Sequence, residues 1–336
     1  MLPHVNVPIL RESDLSEARA AVASVAALHG VDEITKGRVG QVATELGLNL
    51  LRHARGGRLL IGCHAIDDGA TIEVISIDSG PGIPDVNRTM RDHLHSGTSP
   101  GGGLADVRHL STDFSIFSIP GRGTVVLSRA WAPAAHASSS KAPSARFSHA
   151  GICLAAPGQS VSGDSWGIRL GNCKASVIVS DGTGKGLAAA GASAVATKFF
   201  HEFPAEPRVV LQKTHDLLTA TAGAAVAIAD LDARAGLITF SGMGNVACRV
   251  VSSSEDIVLS SQPGILGRDV GELVEVRRSW PDHSVVIMHS DGLSSDWGLK
   301  STPGLLYCDP AVIGGWLLRD HASRVDDVTI LVLKRG

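Results

Sequence analysis

The chain has 336 residues, of which 44% are hydrophobic and 19% charged, and its formal net charge is −3. Such a chain is long and apolar enough to fill the cores of two ordinary domains. The weak negative charge gives no basic surface for a nucleic-acid backbone, and an aromatic content of 4% leaves few side chains for base stacking. These features argue against nucleic acid as a partner.

The cysteines and the apolar stretches bear on the cellular compartment. The cysteines are widely spaced, odd in number and include no Cys-x-x-Cys pair, which favours reduced thiols over disulfides or a zinc site. The first residues carry no signal pattern, and no stretch approaches the roughly 20 consecutive apolar residues of a membrane span. We therefore expect a soluble, cytoplasmic protein without a membrane partner. The sequence makes no prediction of the oligomeric state.

The first element predicted to contribute functional side chains is a helix with two distinct faces. Apolar residues recur at helical spacing from Val39 to Leu50 and mark one stripe. Glu45, Asn49 and His53 recur every four residues and share another face. A carboxylate and an amide are thus expected side by side, while His53 is expected mainly to close the end of the helix.

Two paired strands, at about 58–66 and 70–77, follow this helix. The second runs into Asp78-Ser79-Gly80-Pro81-Gly82-Ile83, where glycines allow a ligand to approach the backbone closely. A glycine-rich segment, 97–103, then precedes a helix at 105–110, an arrangement that offers backbone N–H groups to phosphates. A last pair of strands brackets Gly121-Arg122-Gly123-Thr124. Each feature alone is common in turns and loops, so the prediction depends on their order.

Residues 132–145 mark the clearest change in composition. They are small and polar and include two prolines, so they cannot bury enough apolar surface to offset the loss of chain entropy. We predict a flexible linker here, with one domain at 1–131 and a second at 146–336. In the second domain short strands dominate, with helices at about 186–200 and 208–219.

Three short apolar runs in the second half each meet a carboxylate, and an earlier segment adds a fourth acidic site. The four sites occur in the segments 162–166, 177–182, 286–292 and 326–333. A buried strand fixes the position of its terminal side chain, and carboxylates gathered at the end of a sheet repel one another unless a cation neutralises them. Asp-Gly after a strand is often only a turn, but four such sites together indicate a metal site.

The ordered motifs of the first half resemble those of the Bergerat-fold ATPases. The resemblance covers about residues 8–131, and Thr44-Glu45-Leu46-Gly47-Leu48-Asn49 with Gly103-Leu104-Ala105-Asp106-Val107-Arg108 is most similar to the switch serine/threonine kinases of bacterial partner-switching systems. It implies an α/β sandwich that binds ATP. The loop Ser-Pro-Gly-Gly-Gly-Leu departs from the pattern, because these kinases usually alternate glycine with an apolar residue.

This resemblance implies a role for each matching residue. Asn49 would bind Mg²⁺ through its side-chain oxygen, and Glu45 would orient or deprotonate the attacking serine hydroxyl. Asp78 would accept a hydrogen bond from the adenine amino group. The residues expected to shape the adenine pocket, cover the phosphates or support the adenine end are Gly80, Gly82, Gly101, Gly102, Gly103 and Thr124.

The second half resembles the SpoIIE-type metal-dependent (PPM) serine/threonine phosphatases over about residues 146–336. The match lies in Ser162-Gly163-Asp164, Ser180-Asp181-Gly182, His289-Ser290-Asp291-Gly292 and Asp326-Asp327-Val328-Thr329. It implies an αββα sandwich in which metal ions are held by Asp164, Asp181, the Gly182 carbonyl, Asp291 and Asp326. Asp327 is the weaker candidate of its pair. Hard oxygen ligands favour Mg²⁺ or Mn²⁺.

The two resemblances together predict an α/β protein with opposed activities, a serine kinase and a serine phosphatase. Both would act on one small regulatory protein with a phospho-acceptor serine, similar to an anti-sigma antagonist. A first alternative is a phosphatase controlled by a domain that senses nucleotide without transferring phosphate, which the altered glycine loop favours and the retained Glu45 opposes. A second is a non-enzymatic module that sequesters a partner.

Overall fold

The computed structural model describes residues 3–66, 69–95, 103–133 and 147–335. The chain divides into two compact units, residues 2–142 and residues 143–336. Gly101, Gly102 and residues 134–145 of the predicted linker lie outside the described ranges. Within those ranges, no helix has both the length and the apolar character needed to cross a membrane.

The first unit is one antiparallel sheet with its helices packed on one face. The strand order is β1-β2-β3-β5-β4. The described elements are β1 (Val5–Ile9), α1 (Asp14–Leu28), α2 (Glu33–Asn49), a π-helical turn (Leu50–Ala54), β2 (Gly57–Ile66), β3 (Gly69–Ile77), α3 (Val86–His95), α4 (Leu104–Leu110), β4 (Asp113–Ile119) and β5 (Gly123–Pro133).

Helix α2 joins the helical layer to the sheet. It begins at Asp32, whose side chain accepts a hydrogen bond from Thr35 N at 2.9 Å, as expected of an N-cap. Its apolar stripe, which includes Val42 and Leu46, is buried with strand residues such as Val74. The predicted helix is confirmed, and burial of this stripe fixes the orientation of α2 on the sheet.

A buried charged cluster lies on the other face of the same sheet. Glu73 of β3 is fully buried and accepts bonds from Arg129 Nε at 2.8 Å and from the rings of His4 and His64. Burial by itself would raise the pKa of Glu73, but the charges of Arg129 and His64 and these hydrogen bonds hold that pKa well below its usual range.

Strand β5 is longer than the sequence indicates. It continues through Ala132 and Pro133, which pair with Ala70 and Gly69 of β3. Strand β5 therefore extends two residues into the segment predicted as a linker, because pairing with a neighbouring strand, which composition does not reveal, holds these small residues in the sheet.

The second unit has two five-stranded antiparallel sheets. Their strand orders are β13-β10-β9-β8-β7 and β12-β11-β14-β15-β6. The elements are β6 (Phe147–Leu154), β7 (Asp164–Leu170), β8 (Lys174–Gly182), α5 (Leu187–Glu202), α6 (Pro207–Leu218), β9 (Ala224–Asp232), β10 (Leu237–Met243), β11 (Ala247–Val251), β12 (Asp256–Ser260), β13 (Val276–Ser279), β14 (Val285–His289), a 3-10 turn (Leu305–Tyr307), α7 (Pro310–His321) and β15 (Val328–Arg335).

The sheets of this unit pack face to face between outer helices. Their inner faces share one apolar core, to which Trp166 and Val179 contribute from one sheet and Met288 and Leu331 from the other. Helices α5 and α6 cover the first sheet through residues such as Phe200, and α7 covers β6 and β15 of the second. The predicted succession of an α/β sandwich and an αββα sandwich is confirmed.

Candidate functional site

Helix α2 and the π-helical turn after it form one wall of a pocket in the first unit. Asn49 is the last residue of α2, and Glu45 lies one turn earlier on the same face. The turn Leu50–Ala54 ends at Arg55, which adopts a left-handed conformation with φ 62°. Single π-helical turns inside or after α-helices often occur at functional sites.

The side chain of Asn49 faces the start of helix α4. A Cβ placed on Gly103, the residue that precedes α4, would lie 3.4 Å from Asn49 Oδ1. The Asn49 Nδ2 atom is buried and has no hydrogen-bond partner in the described part of the chain. A buried amide without a partner is costly, so this position favours a polar ligand. Glu45 is half-buried and lies outside the lining of the pocket.

The loop after β3 fixes the opposite wall of this pocket. Asp78 Oδ1 accepts hydrogen bonds from Gly80 N at 2.7 Å and Thr124 N at 3.2 Å. Asp78 N in turn donates to Thr124 O at 3.0 Å. A Cβ on Gly80 would lie 2.7 Å from Ala54 Cα, so a larger residue would push the loop off the π-helical turn. The Asp78 carboxylate is therefore held in one orientation.

Gly82 and Thr124 complete this wall. Gly82 has φ +67°, and a Cβ there would lie 2.2 Å from the carbonyl oxygen of Ile119, so this position requires glycine. The Thr124 hydroxyl is 2.9 Å from Ser118 Oγ, which also accepts from Ile83 N at 2.8 Å. These contacts join the ends of β4 and β5 to the loop after β3.

The pocket between these walls has a volume of about 350 Å³. It combines apolar side chains with one carboxylate and one amide, a lining that suits a flat heterocycle and a polar tail. The lining residues predicted from sequence are Asn49, Asp78, Gly82, Gly103 and Thr124, and the other lining residues include Leu46, Leu50, Arg52, His53, Ile83 and Val126. The structure therefore gathers these predicted residues in one place, although their roles stay predictions.

The four predicted acidic ligands of the second unit meet at one end of its two sheets. Asp164 begins β7 and is directly opposite Asp181 near the end of β8. Asp291 follows β14, and Asp326 precedes β15, which pairs antiparallel with β14. Since antiparallel neighbours bring the end of one strand beside the start of the next, each pair lies at one edge of its own sheet. The two edges meet, because Asp181, Asp291 and Asp326 line one pocket.

Asp164 is the most deeply buried of the four. Ser290 Oγ donates to Asp164 Oδ2 at 2.6 Å and accepts from Thr329 N at 2.9 Å, so the carboxylate is oriented from the second sheet. Burial, followed by the charges of Asp327 and Asp291, raises the pKa of Asp164 to about 7, although the Ser290 bond opposes this shift.

The mutual repulsion of the carboxylates affects Asp181 more strongly than Asp164. Burial and then the charges of Asp164 and Asp291 raise the pKa of Asp181 to about 9, and Asp181 also shares a hydrogen bond with Asp291. Carboxylates that hold protons near neutral pH are a favourable place for a dication, which would neutralise them. The donor set consists of oxygens, so the residues present fit a hard metal ion.

Asp326 and Asp327 have different surroundings. Asp327 is buried, and its two oxygens accept from Ala156 N at 2.7 Å and Gly163 N at 2.9 Å. The side chain of Asp326 is 42% exposed and lies 3.9 Å from Lys185 Nζ. Asp327 therefore holds two backbone segments together, and Asp326 is the one of the pair that can present a carboxylate to a metal ion.

The mouth of this site is a pocket of about 460 Å³, whose lining includes Asp181, Asp291 and Asp326. A Cβ on Gly182 would lie 2.1 Å from the carbonyl oxygen of Ala189, so the start of α5 packs directly on the strand end. Asn245 Nδ2 donates to Asp291 Oδ2 at 2.5 Å. This contact was not predicted, because nothing in the loop around Asn245 indicates a carboxylate 46 residues away.

The comparisons with known proteins match both units. Residues 10–129 match the histidine kinase-like ATPase domain family, and residues 172–304 match the stage II sporulation protein E (SpoIIE) family. The serine/threonine-protein kinase RsbT of Bacillus subtilis (strain 168) is 31% identical over 125 residues, which are 37% of this chain and 94% of RsbT. The chain belongs to the RsbT-like kinase family through its first domain. Its second domain is a SpoIIE-type phosphatase domain.

Solved structures agree on the fold of the second domain. A chain from a structure of the bacterial stressosome, described as a modular system adapted to control secondary messenger signaling, has a TM-score of 0.52 at 24% identity and covers 56% of this chain and 99% of its own length. RsbX in complex with magnesium has a TM-score of 0.50 at 20% identity and covers 58% of this chain and 98% of its own length.

The two families together indicate which class of protein this chain resembles. Histidine kinase-like ATPase domains bind ATP, and phosphatase domains of the SpoIIE type depend on metal ions. A kinase-like ATPase domain joined to a phosphatase domain is typical of partner-switching regulators, which act on regulatory proteins.

Proposed function

We propose that the chain is a bifunctional switch, in which the first domain phosphorylates a serine of a small regulatory protein and the second removes that phosphate. The observation that carries the proposal is the convergence of Asp164, Asp181, Asp291 and Asp326 at one sheet edge with raised carboxyl pKa values. By the resemblance of the first domain to the switch kinases of partner-switching systems, the substrate would be similar to an anti-sigma antagonist. The proposed domain limits are those expected from the sequence, 1–131 and 146–336, except that β5 extends the first domain to Pro133.

In the phosphatase domain, Mg²⁺ or Mn²⁺ held by these aspartates and the Gly182 carbonyl would lower the pKa of a bound water and attract the phosphate oxygens. The chain's own residues set the geometry of that site. Ser290 orients Asp164 from the second sheet, and Asn245 orients Asp291. Asp327 keeps Gly163 in place, which positions Asp164 next to it in the chain. Hydrogen bonds of this kind normally tune the ligands of a metal site.

In the kinase domain, the adenine ring would lie between the apolar wall and the loop that carries Asp78. The fixed Asp78 carboxylate would accept from the adenine amino group, and Asn49 would hold the Mg²⁺ of the nucleotide through Oδ1. Gly101, Gly102 and Gly103 would cover the phosphates. Glu45 would remove the proton from the attacking serine.

One observation favours the alternative, a domain that senses nucleotide without transferring phosphate. Glu45 lies outside the lining of the pocket, whereas Asn49 and Asp78 are part of it. Among the described residues, Asn49 and Asp78 thus share a pocket that Glu45 does not line. The sensing domain would leave the phosphatase as the sole enzyme.

Phosphate transfer from radiolabelled ATP to a panel of candidate partner proteins distinguishes these functions. The assay uses the full chain with Asp181→Asn, so that the attached phosphatase does not erase the product. A kinase should label a partner, and Glu45→Ala in the same background should lower the rate by roughly 10²–10⁴-fold, as expected when a general base is removed. ATP binding should persist in that variant. No labelled partner with Glu45 intact would leave the sensing domain as the function of the first half.

A further inference from the structure

The charged cluster on the sheet of the first domain has the composition of a metal site. His4 Nε2 and His64 Nε2 lie 2.9 Å and 3.0 Å from the same oxygen, Glu73 Oε1. One ligating atom from each of the three residues lies within 4.8 Å of the other two. Among the described residues, no other group of His, Cys, Asp and Glu side chains is as compact. Neither the nucleotide pocket nor the aspartate site uses these side chains.

The distances fit a single ion after a small adjustment. Ligands at about 2.0–2.1 Å from a tetrahedral zinc ion are about 3.3 Å apart, and the two nitrogen–oxygen separations here are 2.9 Å and 3.0 Å. These two separations would have to open by only a few tenths of an ångström, and the two histidine nitrogens lie within 4.8 Å of each other. Rotation of the two imidazole side chains supplies a movement of that size.

Neighbouring residues hold the three ligands in this arrangement. Arg129 Nε donates to Glu73 Oε2 at 2.8 Å, which turns the other oxygen toward both rings. A Cβ on Gly62 would lie 2.5 Å from His4 Nε2, so the missing side chain leaves the space in which this ring rests against β2. Outer contacts that orient ligands in this way are characteristic of metal sites.

The exposure of the three side chains shows how an ion could reach the cluster. The side chain of His64 is 21% exposed, whereas His4 is 3% and Glu73 0% exposed. Solvent therefore reaches the cluster on the His64 side, which provides a path of entry and a place for a water ligand.

We propose that His4, His64 and Glu73 bind one divalent transition metal ion of the zinc class, which ties the segment before β1 to strands β2 and β3. Imidazole nitrogens favour Zn²⁺, Co²⁺ or Ni²⁺, whereas a site of carboxylates alone favours Mg²⁺ and Mn²⁺. The ligands of the two sites would thus select different kinds of metal ion. The proposed ion has a structural role, because it bridges three segments and none of its ligands lines either pocket.

Cobalt binding to the full chain tests this site. The metal-free protein carries Asp181→Asn to weaken the aspartate site, and it is titrated with Co²⁺ while its visible absorption is followed. We expect one equivalent to bind with the spectrum of a four-coordinate ion, and His64→Ala to lower the affinity at least about 100-fold. His283→Asn is the matched control, because His283 is exposed and has φ +62°, a conformation that asparagine tolerates.

A second measurement does not depend on how the variants fold. X-ray absorption of the otherwise unaltered chain with one equivalent of Zn²⁺, recorded in excess Mg²⁺, should show two imidazoles in the first coordination sphere. Far-UV circular dichroism confirms that His64→Ala is folded before its affinity is compared. Equal cobalt affinity in the His64→Ala and His283→Asn variants, or a zinc ion without imidazole ligands, would show that this cluster is held by hydrogen bonds alone.

Discussion

The adjacent residues Asp326 and Asp327 should separate metal binding from stability. Asp327→Asn keeps one side-chain oxygen, so either Ala156 N or Gly163 N loses its acceptor and faces an amide NH₂ group instead. Losing one buried hydrogen bond to a carboxylate costs about 2 kcal/mol. Removal of the charge also relieves Asp164, whose pKa Asp327 helps to raise, and this relief offsets part of the loss.

The expected net destabilisation of Asp327→Asn is about 1–2 kcal/mol, which for a domain of this size corresponds to a decrease in Tm of about 2–8 °C. Asp326→Asn changes a side chain that is 42% exposed, so its stability should stay within about 0.5 kcal/mol of the unaltered chain. Its dependence on metal should change instead. The Mn²⁺ concentration needed for half-maximal hydrolysis of an aryl phosphate should rise by at least about 10-fold.

Thermal unfolding in the presence of a chelator, followed by circular dichroism, measures the first effect without contributions from bound metal. Phosphatase rates across a series of Mn²⁺ concentrations measure the second. The assignment of Asp327 to the backbone and Asp326 to the metal would be refuted by the reverse pattern, in which Asp327→Asn unfolds like the unaltered chain and Asp326→Asn lowers Tm without changing the response to Mn²⁺.

Two further predictions concern the separate sites. Phosphatase activity should be lost on addition of a chelator and restored by Mn²⁺ or Mg²⁺. Asp291→Asn should lower the rate at least about 100-fold, because the metal would be misplaced. Near-normal turnover of this variant would show that Asp291 is not part of the site. Asp78→Asn should abolish ATP binding in calorimetry, because the adenine amino group loses its charged acceptor, whereas Asp113→Asn at an exposed strand end should bind ATP normally. Unchanged ATP binding by the Asp78→Asn chain would refute the adenine assignment.

The helices and strands around the two sites could be predicted because their local signals are strong, whereas the two sandwich folds came from the family resemblances. The stripe on α2, the paired strands β2 and β3 and the apolar runs before Asp181 and Asp291 all appear as the elements expected. A residue at the end of a buried strand has little freedom, so the amino-acid pattern alone is enough to assign acids at strand ends to the edge of a sheet. The order of the motifs supplied the rest of the prediction.

Contacts between segments that are far apart in the chain could not be predicted from the sequence. The register that puts Asp164 opposite Asp181 is set by pairing across the sheet, and the Asp327 bonds join residues 171 and 164 positions apart. The cluster around Glu73 was missed for the same reason. One signal could have indicated it, since Glu73 interrupts the apolar run Ile72-Glu73-Val74-Ile75 in the middle of a strand, where an unpaired charge would be costly.

Joining a kinase and a phosphatase in one chain has a consequence that follows from the two sites themselves. Tethering raises the effective concentration of both activities near a shared partner, and if both ran together they would only consume ATP. Control must therefore act on one domain at a time. The nucleotide pocket is the more suitable point of control, because Asn49 leaves a buried amide without a partner in the described structure, and a nucleotide that satisfies it would stabilise the first domain in proportion to its concentration. The proposed aspartate site would respond to metal instead, so ATP and metal supply would set the two rates independently.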